Sequence, residues 1–181
     1  MKLSKALLLA CAVLMTTNAC ASDPAPIKPV DQVDLPRFMG DWYVIATIPS
    51  FFEKHAYNAV ETYALMPDGE IATSFQYRKG AFDNPLKSIN STGFVKPGTG
   101  NAVWGVQLIW PIKAQYIVAY VNDEYSQVIV ARDARDYVWV MARTPTVPAA
   151  EYAALLARVK AMGYALDKIR KVPQSWPQAK R

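Results

Sequence analysis

Gly40-Asp41-Trp42-Tyr43-Val44-Ile45-Ala46-Thr47 is the stretch on which the fold of this chain turns. From Trp42 to Thr47 it is aromatic and β-branched, which suits a pleated, half-buried strand, and Ile48-Pro49 closes it. The glycine two residues before the tryptophan lets the backbone turn tightly while a large flat side chain swings beneath the sheet. By itself a Gly-x-Trp triplet is only a turn and a core aromatic, so its surroundings must decide its meaning.

Upstream, the chain reads first as an address. Lys2 and Lys5 precede an apolar run of ten residues, Ala6 to Met15, too short to span a bilayer as a stable helix. The polar Thr16-Thr17-Asn18 and the small-x-small Ala19-Cys20-Ala21 complete an export signal over residues 1–21. Two fates stay open. Cleavage after Ala21 releases a cysteine-free chain into the periplasm, with no disulfide and no thiolate chemistry. Acylation of Cys20 instead makes an outer-membrane lipoprotein, although Thr17 and Asn18 match a lipidation signal poorly. Either way about 160 residues remain, the size of one domain. Without Lys2 and Lys5 there are 18 Lys+Arg against 15 Asp+Glu, and a net charge of +3 gives no argument for nucleic acid.

Residues 22–33 carry three prolines and no period, and read as an extended tether. Asp34 to Met39 suits one helical turn with Asp34 as N-cap. Downstream of the first strand, Pro49 to Tyr57 reads as a polar-aromatic loop. Seven more strands follow: Asn58–Leu65, Glu70–Arg78, Ile89–Val95, Ala102–Trp110, Tyr116–Val121, Ser126–Arg132 and Tyr137–Arg143. Their connections, such as Pro67-Asp68-Gly69, are short and polar, and none holds a crossover helix. Pro148 to Met162 is helical, with apolar residues at Tyr152, Leu155, Leu156 and Val159 and Gly163 as its stop. Eight antiparallel strands in meander order leave two edges unless they close. The expected fold is all-β: an eight-stranded up-and-down antiparallel barrel over residues 34–175, with one C-terminal α-helix on its outside and a tail at 176–181. A barrel of eight strands is wide enough for one small ligand.

At this point the chain resembles the lipocalin family. Gly40-x-Trp42-Tyr43 matches its first motif. Asn122-Asp123-Glu124-Tyr125 matches the second loosely, and Arg143, at the end of the eighth strand, matches the third. The stretch Asp136 to Thr146, with Phe52-Glu53 and Tyr63-x-Leu65, is similar to the bacterial outer-membrane and apolipoprotein D-like branch. The resemblance spans about residues 33 to 175. It implies carriage or storage of a small hydrophobic ligand, a fatty acid or lysophospholipid, inside the barrel in the cell envelope. It implies structural roles for Gly40, Trp42 and Arg143, with Trp42 closing the barrel floor and Arg143 packed across it. It implies no cofactor.

Period-two alternation then assigns the lining. The expected ligand-facing residues are Glu61, Tyr63, Phe75, Tyr77, Trp104, Val106, Leu108, Tyr116, Val128, Tyr137, Trp139 and Met141, with Leu65, Ile71 and Thr73 sharing those inward faces. Several strands are apolar on both parities, so the sixth and seventh are assigned with least leverage. Glu61 is the unusual member. A carboxylate inside an apolar barrel has a raised pKa or needs a partner, and a cationic head such as choline would supply one, with Trp104 and Trp139 adding cation–π contacts.

Competing readings are an enzyme on the same fold, an envelope scaffold or stress protein with an incidental cavity, and a tetrapyrrole binder through His55, the only histidine. The sequence has no Ser-His-Asp set, cysteine nucleophile or histidine cluster. A carboxylate pair would need a second acid near Glu61, and no strand supplies one of the right parity. Arg132-Asp133 and Arg135-Asp136 read as a solvated turn, and a homodimer through the barrel face stays open.

Overall fold

The computed structural model describes residues 24–51 and 53–177. Phe52, Cys20 and the export signal lie outside the described residues. Eight strands form the barrel: β1 (Gly40–Ile48), β2 (Ala56–Leu65), β3 (Ile71–Lys79), β4 (Leu86–Val95), β5 (Val103–Ile109), β6 (Ile112–Val121), β7 (Gln127–Ala131) and β8 (Val138–Ala142). Each pairs antiparallel with its sequence neighbour. β1 closes the sheet by pairing with both β2 and β8.

The closure is uneven, and the chain repairs it. β1 meets β2 only from Gly40↔Tyr63 to Tyr43↔Val60. Beyond Val44 a bulge shifts the register with β8, and β9 (Arg170–Lys171) takes the vacated edge at Ala46 and Thr47. The C-terminal segment is thereby part of the wall. The Pro173 carbonyl accepts from the Asn58 amide, and the Trp176 ring meets Tyr43 edge-on at 5.1 Å.

The strands that are apolar on both parities are explained by two cores. Inside the barrel lie Trp42, Val44, Tyr63, Ile71, Phe75, Trp104, Tyr116, Val118, Val128, Val130 and Met141. Outside, Ala46, Ile48, Ile117, Ile129, Ala131, Val138 and Val140 pack against Leu155 and Val159 of helix α2 (Ala149–Ala161). α2 therefore covers the outer faces of β1, β6, β7 and β8, where the alternation fails. Each valine, isoleucine or leucine packed there is worth roughly 1.5–3 kcal/mol on removal from water. Tyr164 follows Gly163, and its hydroxyl accepts from the Arg132 amide and lies within donating distance of the Arg132 and Tyr137 carbonyls, tying the end of α2 to the β7–β8 loop.

The stretch expected as a tether is extended but packed. The Ala25 carbonyl accepts from Arg135 and the Ile27 amide donates to Asp133, both in the β7–β8 loop. The chain then runs along β6, with Val30 N–H on the Val118 carbonyl, and reaches the β4–β5 turn, where Val33 N–H donates to Gly100. A Cβ on Gly100 would lie 2.0 Å from the Asp31 carbonyl oxygen, so the crossing needs glycine there. The Asp133 and Arg135 side chains, expected to be solvated, are the clasp for this segment.

One end of the barrel is shut. Helix α1 (Leu35–Phe38), N-capped by the Asp34 carboxylate, puts Phe38 into the floor against Trp42, Tyr63 and Trp104 at 5.3–5.4 Å between ring centroids. The other end, reached by the β1–β2, β3–β4, β5–β6 and β7–β8 loops, is open.

Candidate functional site

The floor gathers the residues singled out in the sequence. Gly40 has φ +89°, and a Cβ there would sit 3.5 Å from an Arg143 guanidinium nitrogen. That turn swings Trp42 inward, where it is fully buried and its indole N–H donates to the Phe38 carbonyl at 2.8 Å. The Arg143 guanidinium lies 3.8 Å from the Trp42 ring centroid. It donates to the carbonyls of Arg37, Met39 and Asp41 at 2.7–2.8 Å, to Phe38 at 3.1 Å and to Tyr125 at 3.3 Å. Several of these carbonyls belong to the last turn of α1, which has no further turn to satisfy them. Burial lowers the Arg143 pKa, and Asp41 opposes that shift. Tyr125 completes the group. Its hydroxyl accepts from the Asp34 amide and its ring stacks under Arg37 at 4.2 Å.

Above the floor is a cavity of about 260 Å³. Of the residues expected to line it, Glu61, Tyr63, Phe75, Val106, Leu108, Tyr116, Tyr137 and Trp139 do so. Tyr77, Trp104, Val128 and Met141 belong to the inner core but stand off the cavity wall. Trp104 is packed into the floor. It stacks on Tyr116 at 4.7 Å with the rings 6° from parallel, and its N–H is taken by the Asn101 carbonyl. Tyr77 stacks on Phe75 at 4.9 Å. Leu65 is exposed near the closed end. His55 is exposed and not part of the wall, which leaves the tetrapyrrole reading without a ligand from that residue.

Strand alternation could not reveal Ser50 and Glu53, which line the cavity from the β1–β2 loop; Arg132 also lines it, on the same parity as Val128. Glu53 is buried and accepts from the Trp139 indole N–H and the Ser50 amide, both at 2.7 Å. It corrects the expectation that no second acid could approach Glu61, since it enters from the β1–β2 loop, where strand parity does not apply. The alternation of β3, β4 and β6 also contributes Thr73, Ile89, Ser91 and Ala114, and Gln115 touches the cavity from the opposite parity of β6. The Thr73 and Ser91 hydroxyls are hydrogen-bonded to each other.

The electrostatics follow from enclosure. Glu61 keeps some accessible surface because it faces the lumen, but the barrel wall surrounds it. Burial, and then the nearby Glu53, push its pKa from 4.5 up to about 8. It is therefore largely protonated at neutral pH and can donate a hydrogen bond. Tyr116 donates to the Tyr63 hydroxyl at 2.8 Å, and burial raises both phenols well above their ordinary range. At the mouth, Arg132 pairs with Asp136 at 3.1 Å, while its buried Nε has no hydrogen-bond partner. The cavity thus combines apolar walls, a polar belt at mid-depth and a cation at its mouth. Chemically, such an arrangement suits a ligand with an apolar body, whose burial would be the main source of affinity, and a polar end.

Comparison with known proteins gives a consistent picture. A family model described as a lipocalin-like domain matches residues 33–174. The outer membrane lipoprotein Blc of Vibrio cholerae is 28% identical over 144 residues, covering 77% of this chain and 81% of its own. Temperature-induced lipocalin-1 of Arabidopsis thaliana is 29% identical over 161 residues, covering 81% and 82%. Among solved structures, insecticyanin from the tobacco hornworm superposes with a TM-score of 0.63 at 14% identity, over 84% of this chain and 86% of that one. At that identity the likeness speaks for the fold alone.

Proposed function

Because the chain belongs to the lipocalin-like family, we propose that it binds one single-chain lipid, a fatty acid or lysophospholipid, inside the barrel and carries or stores it in the bacterial cell envelope. The observation that carries this reading is the cavity: apolar walls of Phe75, Ile89, Val106, Leu108 and Trp139 above a sealed aromatic floor. Its volume lies just below the ~300–1,000 Å³ of sites for drug-sized ligands, which suits one narrow tail. The kinship with outer membrane lipoproteins supports an envelope location, with Cys20 as the residue that acylation would use.

The head group belongs at the mouth. A fatty acid carboxylate drawn to mid-depth would meet Glu61, which burial beside Glu53 already holds in its neutral form, and a further negative charge there is disfavoured. Beside Arg132 it would meet the guanidinium that lines the mouth and form a charge-assisted bond. A lysophospholipid phosphate would use the same donor. Its cationic end, drawn toward Glu53 and Glu61, would return Glu61 to the charged form. The reading is of binding rather than catalysis, because the wall hydroxyls of Tyr63, Tyr116, Thr73 and Ser91 are paired with one another and none is activated as a nucleophile.

Displacement of a soluble fluorescent fatty acid tests this. Ala114→Trp should abolish uptake by filling the lumen. Arg132→Ala should weaken oleate by about tenfold while leaving a monoacylglycerol nearly unchanged, since only the first offers an anion. Equal affinities in the parent and in Ala114→Trp would place the lipid elsewhere and defeat the proposal.

A further inference from the structure

We infer that the open end of the barrel docks on an anionic lipid bilayer, with the β5–β6 hairpin tip as its apolar wedge. Large exposed apolar side chains are not scattered over the described residues. Leu65 apart, they gather at the open end. Ile109, Trp110 and Ile112 surround the hairpin turn at 65%, 82% and 69% exposure, and Phe51 stands on the β1–β2 loop at 77%. Phe82 and Leu86 flank them from the β3–β4 side. This patch surrounds the entrance to the cavity and is not part of its lining.

A contiguous apolar rim of this kind is costly in water and marks a surface that meets something. Two observations identify the occupant as a bilayer. The first is charge. Exposed Lys54, Lys79 and Lys87 stand among the apolar residues, the arrangement in which lysines meet phosphates while aromatic and aliphatic side chains enter the acyl boundary. Asp133 and Asp136, the acids of the β7–β8 loop, are taken up by Ile27, Gln115 and Arg132, and Asp83 stands in the β3–β4 loop.

The second observation is where the chain leads. Ala25 and Ile27 are clasped by Arg135 and Asp133 at this same end, so the N-terminal continuation departs beside the open mouth. Cys20 lies four residues before Pro24, and four residues reach at most about 14 Å. An acyl anchor at that cysteine would hold the apolar rim, rather than the sealed floor, against the bilayer. A lipid could then pass between membrane and barrel without crossing water. The docking does not depend on which ligand fills the cavity.

The test is partitioning onto vesicles of three parts phosphatidylethanolamine to one part phosphatidylglycerol, measured by flotation with the chain from Ser22 onward, which carries no acyl group. The Trp110→Ser/Ile112→Ser double variant should lose about tenfold or more in partitioning, because membrane affinity scales with buried apolar area. Leu65→Ser, at the other end, should bind like the parent. Lipids brominated on their acyl chains should quench parent fluorescence and leave the double variant less affected. Both variants should keep the parent's melting temperature and its uptake of a soluble fluorescent fatty acid. That readout separates failure of docking from failure of the cavity proposal. Equal flotation of parent and double variant overturns the inference. So does a parent that ignores vesicles and forms a dimer through the tip, dissociated by the double variant.

Discussion

Arg143→Ala is expected to lower the unfolding free energy by roughly 2–4 kcal/mol, combining lost charge-assisted hydrogen bonds with a cation–π contact worth roughly 0.5–2 kcal/mol. One guanidinium satisfies carbonyls from Arg37, Phe38, Met39, Asp41 and Tyr125, and it also covers the Trp42 ring. Removing it leaves the end of α1 and the start of β1 without a shared donor. Water reaches part of the site, which keeps the loss below the full sum. Arg143→Lys should recover less than half, because an ammonium offers three donors from a point and cannot reproduce the planar fork. Urea unfolding of the three proteins measures this. A loss below about 1 kcal/mol for the alanine variant would mean that Arg143 merely decorates the floor.

Glu61→Gln is expected to stabilise the protein above neutral pH and to change little near pH 5. The native carboxyl titrates at about 8, and its ordinary value is 4.5. Between those limits the folded state holds a proton that the unfolded chain releases, so stability falls as pH rises. The contribution is fully present below 4.5 and is lost through 8. A shift of this size corresponds to roughly 2–4 kcal/mol at pH 9 once partial hydration of the lumen is allowed for. Glutamine keeps the shape and the hydrogen bonding and cannot ionise. Melting curves should therefore diverge from pH 5 to pH 9, with the glutamine variant higher. Parallel curves would contradict a buried, neutral Glu61.

The barrel was legible because period-two patterns and short polar turns survive in β2, β3 and β5, where one face meets solvent. Gly40, Trp42 and Arg143 were legible through the family resemblance, and the structure supplies the physical reason: a positive-φ turn, a floor ring and its covering guanidinium. β6 and β7 were harder to read. Their outer faces are apolar too, and only the packing of Leu155 and Val159 shows why. Trp104 was placed on the correct face but too high, since parity gives a side and not a depth. Glu53 escaped for a different reason: it reaches the cavity from a loop, where no period constrains direction, and only its geometry around Trp139 reveals it. Arg132 shares the parity of Val128 but was read as part of a solvated turn, and its pairing with Asp136 at the cavity shows its place.

Native mass spectrometry of the protein purified from its own envelope fraction, with lipid identification after denaturation, tests the central claim most directly. The account predicts one fatty acid or lysophospholipid per chain, released on unfolding and absent from Ala114→Trp. The intact mass would also report acylation at Cys20. A chain that emerges empty and takes up no fatty acid on incubation would contradict the account and leave the cavity incidental to the fold.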